Sequence, residues 1–336
     1  MRQPRATQPR AIQPRAIQRT RRRRLITGVI LVAGMLLSGS ITFAVWPHGE
    51  SSARPGQLRV VSTTNFLTDT VREVGGDRVA VSGLMGPGVD PHLYNATASD
   101  VARLRGADLV VAVGLYLEGN LQPVLDDVAE RRPVLLAGER IPTERLLEPA
   151  DDAPAAEEFD PHVWFDVQLW RFVVNGVRDS LSAQDPANAA YYRQRAASYR
   201  AELDQLDTEI RARIATIPES RRVLVTSHDA FRYFGRAYDM DVVGIQGIST
   251  SDEATTADVE RVANLVARRQ VPAVFVESSV SEQTLQAVLA AARSRDHPLR
   301  LGGELYSDAA GAAGTPEGSY PGMLRANVDR LVAGLS

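Results

Sequence analysis

Two pentapeptides, DPHLY at 90–94 and DPHVW at 160–164, repeat the string Asp-Pro-His-apolar-aromatic in a chain that has five histidines. Asp-Pro favours a turn and stiffens the backbone ahead of the histidine, so each imidazole can be aimed with little residual freedom. A third histidine, His228, closes the apolar run RVLVTSH (222–228), and Asp308 follows LRLGGELY (299–306) after one intervening residue. Three imidazoles and one carboxylate make a complete four-coordinate donor set for a divalent transition metal, with bonds of about 2.0–2.2 Å for zinc. Each residue also has a plainer reading. A lone histidine after a strand is more often a loop hydrogen-bonding residue, and Asp308 could cap a helix ahead of AAGAAG. The set of His92, His162, His228 and Asp308 carries the metal reading, because the four fall at strand ends or in equivalent loops. His48, in a polar stretch, and His297, in SRDHPLR, are expected to be solvated. There is no cysteine, which excludes disulfides and thiolate metal sites.

The elements that would position these residues follow a regular grammar. Short apolar runs at 58–64, 78–85, 107–114 and 133–137 alternate with helical spacing at 66–74 and 98–104, and Thr97 is a candidate N-cap. The pattern resumes with runs at 222–228, 241–247, 272–279 and 299–306 around helical patterns at 256–269 and 281–293. Strands alternating with helices point to parallel sheets. The expected fold is therefore α/β, with two lobes that each hold a central, mostly parallel sheet flanked by helices. Between them, 186–217 is rich in Ala, Arg, Glu and Leu, contains no Gly or Pro after Pro186, and predicts one long rigid helix of about 45 Å. Ligands of open α/β sheets bind beyond the C-terminal strand ends, where the four candidate residues lie.

The N-terminus differs in kind. Residues 1–24 hold nine arginines and no acid, with proline recurring every five residues, which predicts a disordered cytoplasmic arm. Residues 25–46 carry no charge over a length that can span a bilayer, and the arginines before them place everything downstream across the membrane. The segment is either a cleaved signal peptide or an uncleaved anchor. A tether at 47–56, an N-terminal lobe at 57–185, a linking helix at 186–218 and a C-terminal lobe at 219–336 complete the expected organisation. The chain carries a net charge of −3; setting aside the nine arginines of residues 1–24 leaves −12 for the rest. An acidic body argues against nucleic acid or anionic lipid as a partner and suits a cationic ligand.

The strings VDPHLYNATASDVARLRGADLVVAVGLYLE (89–118), FDPHVWFD (159–166), VTSHDAFRYFGRAYDM (225–240), GISTSDEATTADV (247–259), FVESSV (275–280) and ELYSDAAGAAGTPEGSYPGMLRANVDRL (304–331) resemble the TroA-like zinc and manganese solute-binding proteins of bacterial ABC importers. The likeness covers residues 57–336 and leaves out 1–46. It implies two lobes bridged by one helix, and a metal held between them by His92 and His162 from one lobe and His228 and Asp308 from the other. It also implies a monomer outside the cytoplasmic membrane that delivers its metal to an ABC-type permease and is not an enzyme. Histidine at the third ligand position leans toward zinc, since imidazole suits zinc whereas carboxylate and water suit manganese. Two departures stand out. The His-rich loop common in zinc-dedicated relatives is replaced by a short acidic stretch, which keeps manganese open. No lipidated cysteine follows Leu37-Ser38-Gly39, so retention at the membrane would rest on residues 25–46.

Two rival functions remain. A secreted zinc hydrolase would need an open metal position and a general base, for which Glu277 is the one candidate, although it reads as structural. A two-lobed carrier of an organic ligand such as a siderophore would need an aromatic-lined cleft and would leave three histidines without a task.

Overall fold

The computed structural model describes residues 53–149, 158–251 and 253–336. The arginine arm, the apolar 25–46 segment, most of the tether with His48, and most of the acidic stretch at 151–160 lie outside the described residues. Among the described residues no helix is long and apolar enough to cross a membrane.

In the N-terminal lobe, β1 (Leu58–Ser62), β2 (Val79–Gly83), β3 (Leu109–Ala112) and β4 (Val134–Leu136) form one parallel sheet in the order β2-β1-β3-β4. Helices α1 (Asn65–Gly75), α2 (Ala98–Gly106) and α3 (Gln122–Ala129) connect them. Thr97 caps α2 as expected, in a capping box in which its hydroxyl accepts from the Asp100 N–H and the Asp100 carboxylate accepts in return. The C-terminal lobe holds two parallel pairs, β5 (Val223–Thr226) with β6 (Asp241–Gly244) and β7 (Ala273–Glu277) with β8 (Arg300–Leu305). Their helices are α6 (Arg232–Tyr238), α7 (Thr256–Arg269) and α8 (Gln283–Arg293), and the chain ends in α9 (Tyr320–Leu335). The central strands β5 and β7 lie side by side, but no ladder joins them, so this lobe has two short sheets where one was expected.

Strand side chains alternate between two cores, as a sheet covered on both faces requires. In β3, Leu109 and Val111 face a large inner core, while Val110 and Ala112 face an outer one with Leu104, Leu121 and Leu125. In β7, Ala273 and Phe275 join the same inner core, while Val274 faces an outer core with Val262, Val266 and Leu285. One inner core therefore runs beneath both lobes.

That core is floored by α4 (Val167–Gln184) and α5 (Ala189–Ile214). The latter is the linking helix, 26 residues or about 39 Å long, entered through a 3-10 turn at Pro186–Asn188. It starts three residues later than expected because proline has no N–H to give and sits in the entry turn. Tyr192, Ala196, Tyr199, Leu203, Leu206, Ile210 and Ile214 form its buried stripe at helical spacing. Since α5 packs on α1 and α4 and also on α6 and α9, the helix is seated against both lobes along its length. Trp170 of α4 stacks on Tyr320 of α9 with ring centroids 5.1 Å apart, which adds an aromatic joint at the same level.

Candidate metal centre

Each of the four residues sits in a loop beyond a strand end or at a helix entry, where regular backbone pairing has stopped and a side chain must hold the geometry. His92 lies in the loop after β2, and its backbone N–H donates to Asp90 Oδ1 at 2.9 Å. His162 precedes the short turn Val163–Phe165 that leads into α4. Its N–H donates to Asp160 Oδ1 at 3.0 Å, and its ring Nδ1 lies 2.8 Å from the same oxygen. The aspartates of both Asp-Pro-His strings thus grip their own histidines, beyond the turn stiffness read from the sequence.

His228 stands two residues beyond the end of β5. Its N–H donates to Glu277 Oε1 at 2.8 Å, and its Nδ1 lies 2.6 Å from Glu277 Oε2. Asp308 stands in the loop after β8, with no helix behind it, so the capping alternative fails. Asp308 Oδ2 lies 3.3 Å from His228 Nε2 and accepts from the Ser279 hydroxyl at 3.3 Å, while Oδ1 lies 3.6 Å from His162 Nε2.

The structure brings all four together. One ligand-type atom from each lies within 4.8 Å of the other three. Four donors around a tetrahedral zinc would stand about 3.3 Å apart for bonds of about 2.0–2.1 Å. Small side-chain adjustments therefore suffice to close the set on a single ion. Exposure is 4% for His92, 0% for His162 and His228, and 1% for Asp308. In this buried space His92 Nε2, His162 Nε2, His228 Nε2 and Asp308 Oδ1 meet no hydrogen-bond partner within the protein. Buried polar atoms are rarely left so, and four aimed at one another call for a cation.

The electrostatics agree. Burial pushes His92 down to about 3, so its ring is neutral and can donate a lone pair. Burial alone would raise Asp308, but the imidazoles of His228, His162 and His92 overcome it and hold the carboxyl below the usual range. Burial likewise lowers His228, but the Glu277 and Asp308 carboxylates outweigh that and raise it well above the ordinary value. A positive charge between those two carboxylates is what the site favours, and a divalent metal supplies it.

Several partners were not singled out from sequence. Local sequence marks Asp90 and Asp160 as turn formers only and does not single out Ser279. Glu277, read as structural, is the carboxylate behind His228; its place at the end of β7, level with the strand-end ligands, was the available signal. His297 is not solvated as expected: it is 6% exposed, with Nε2 2.7 Å from the Val271 carbonyl. It precedes β8 as Val271 precedes β7, so the ring ties the starts of two paired strands.

Comparison with known proteins finds a family match and several close relatives. The family described as "ZnuA: Zinc-uptake complex component A periplasmic" matches residues 60–334. Zinc-binding protein TroA of Treponema pallidum (strain Nichols) is 42% identical over 314 residues, 94% of this chain and 99% of its own length. Manganese-binding lipoprotein MntA of Bacillus subtilis (strain 168) is also 42% identical, over 310 residues, covering 91% of this chain and 98% of its own. The solved structure of periplasmic zinc-binding TroA from T. pallidum superimposes with a TM-score of 0.80 at 44% identity, covering 84% of this chain and all of that one.

Proposed function

The chain belongs to the ZnuA family of periplasmic zinc-uptake components, and from that premise we propose that it captures a divalent transition metal outside the cytoplasmic membrane and delivers it to an ABC-type permease. The observation that carries this reading is the set of three imidazole nitrogens and one carboxylate oxygen, buried, unpartnered and converging. In it, His92, His162, His228 and Asp308 hold the ion, two from each lobe, so that binding ties the lobes together. Asp160 and Glu277 stand behind His162 and His228, where a carboxylate fixes the ring and raises its donor strength.

Zinc is the favoured cargo, because three imidazoles suit it better than manganese. The relatives do not separate the two metals, since zinc-binding TroA and manganese-binding MntA are equally similar. No catalysis is assigned: four protein donors leave no open position for a reacting water, and the Glu277 carboxylate is engaged with His228. Residues 25–46 would hold a monomer at the outer face of the membrane, with 47–56 as the tether and the lobes at 57–185 and 219–336 on either side of 186–218.

Calorimetric titration of the metal-stripped full-length chain tests the reading. One Zn2+ per chain is expected, with binding strongly weakened in Asp308→Ala. Absence of stoichiometric binding in the unmutated chain would sink it.

A further inference from the structure

The two Asp-Pro-His mounts share a design and differ in how they are fastened. In each, one carboxylate oxygen holds the histidine of its own loop and the other faces the opposite lobe. Asp160 Oδ2 lies 3.5 Å from Arg232 Nη1, and Asp90 Oδ2 accepts from the Thr250 hydroxyl at 2.6 Å.

Around Asp160 the lobes are bolted several times over. The Tyr233 hydroxyl donates to the Asp160 carbonyl, and Arg232 donates to the Glu148 carbonyl. Trp164 Nε1 donates to the Ser307 carbonyl, and the Tyr320 hydroxyl donates to the Trp164 carbonyl. On α1, Asn65 exchanges hydrogen bonds with the Ala310 backbone, and Asp69 accepts from the Tyr320 N–H.

The loop that carries His92 is held more sparsely. Among the described residues, Thr250 is the C-terminal-lobe side chain that hydrogen-bonds to it. Gly88, at φ +70°, passes so close to the Ser278 carbonyl that a Cβ would sit 3.3 Å away, so this loop lies directly on the other lobe. A cavity of about 520 Å³, lined by Asp90, Leu93, Gln246, Thr250, Glu253 and Ser279, opens immediately outside. Of the four ligand residues, His92 is also the one with the largest residual exposure.

We infer that Thr250 is a positioning residue whose hydroxyl latches the Asp90 mount of His92 across the cleft and so sets how fast bound metal leaves. The inference rests on the metal-carriage reading above. Several hydrogen bonds across the lobes on the Asp160 side, against the single side-chain hydrogen bond from the other lobe to the His92 loop among the described residues, give release a preferred direction. Parting Thr250 from Asp90 frees the His92 loop toward the cavity, while His162, His228 and Asp308 stay in place. Thr250 touches no metal, so its effect falls on dissociation, with the donor set unchanged.

The test compares Thr250→Val, which keeps the shape and removes the hydroxyl, with Thr250→Ser, which keeps the hydroxyl. Full-length protein loaded with Zn2+ is mixed with excess chromogenic chelator in a stopped-flow instrument, and the Co2+ form is examined by visible absorption. Thr250→Val should release zinc about 3- to 10-fold faster, the scale of one hydrogen bond, while Thr250→Ser stays near the parent rate. The Co2+ spectrum should not change in either. Equal release rates for Thr250→Val and the parent would overturn the latch, as would Thr250→Ser behaving like Thr250→Val. A shifted Co2+ spectrum in Thr250→Val would also overturn it, because the donor set itself would then have changed. If the parent chain takes up no Zn2+, the metal reading fails, and the latch fails with it for that separate and visible reason.

Discussion

Both oxygens of the Glu277 carboxylate face His228: Oε1 accepts from its backbone N–H at 2.8 Å, and Oε2 lies 2.6 Å from its ring Nδ1. A residue at the end of β7 thereby fixes the orientation of a residue at the end of β5, and turns Nε2 toward Asp308. The arrangement orients both candidate donors of the C-terminal lobe toward each other.

Glu277→Gln should therefore weaken zinc binding about 10- to 100-fold, the usual cost of losing a partner behind a ligating histidine, while the fold persists. The amide keeps an acceptor for the His228 N–H but loses the charge beside Nδ1. Competition against a chelator of known affinity reads the change. An unaltered dissociation constant would show that Glu277 serves the fold alone.

Asp308→Ala should be more severe, because it removes a donor outright, along with the negative charge that the three imidazoles surround. The expected loss exceeds about 100-fold, above the range for an outer partner. The simplest measurement is the rise in melting temperature on adding Zn2+, which should vanish in the variant. A rise equal to that of the parent would remove Asp308 from the ligand set.

Much of this candidate centre was legible in the sequence, because its four residues sit where local grammar is strongest. The eight strands among the described residues all fall within the apolar runs at 58–64 through 299–306, and the four candidate residues stand beyond strand ends or at a helix entry. The cross-lobe partners were not legible. Nothing local to Thr250 or Arg232 announces Asp90 or Asp160, 160 and 72 residues away, since lobe docking alone brings them together. Helix α9 is marked by a less clear apolar stripe than α7 or α8, although Ser319 caps it and Pro321 stands in its first turn. His297 read as solvated because its neighbours are charged, whereas strand pairing pulls its ring against Val271.

Asp69 gives a pH signature away from the metal. Burial raises its pKa from 3.8 to about 6, more than the hydrogen bond from the Tyr320 N–H lowers it. A carboxyl whose folded pKa lies above its unfolded one costs nothing below about pH 4. Its destabilising effect grows between about 4 and 6 and is complete above. Asp69→Asn keeps an acceptor for Tyr320 and never ionises. In urea unfolding of the metal-free protein, the variant should gain on the parent as pH rises from 5 to 8, by an amount on the order of 1–2 kcal/mol. A difference that stays constant with pH would mean that burial does not raise the Asp69 carboxyl.

The linking helix can be tested as a structural floor. Leu206 is fully buried in the α5 stripe, within the core shared by both lobes. Leu206→Ala should cost about 2–5 kcal/mol, as for other buried leucines. Because the core is continuous beneath both lobes, unfolding should remain one transition with a lowered midpoint. Two separated transitions would show that the lobes fold independently and that α5 only connects them.

Metal preference follows from the donors. Manganese favours carboxylate, carbonyl and water oxygens, and the four converging donors include a single carboxylate among three imidazoles. Zinc accepts such a set at four-coordination. A ligand that binds only the folded state stabilises it by about 4 kcal/mol when present at 1,000 times its dissociation constant. At equal concentrations, Zn2+ should therefore raise the melting temperature of the metal-stripped chain further than Mn2+, by several degrees. The order is informative either way. If manganese gave the larger rise, the preference would have to come from oxygen donors beyond the four. The Asp90 and Glu253 carboxylates, which line the cavity beside the His92 loop, would be the first places to seek them.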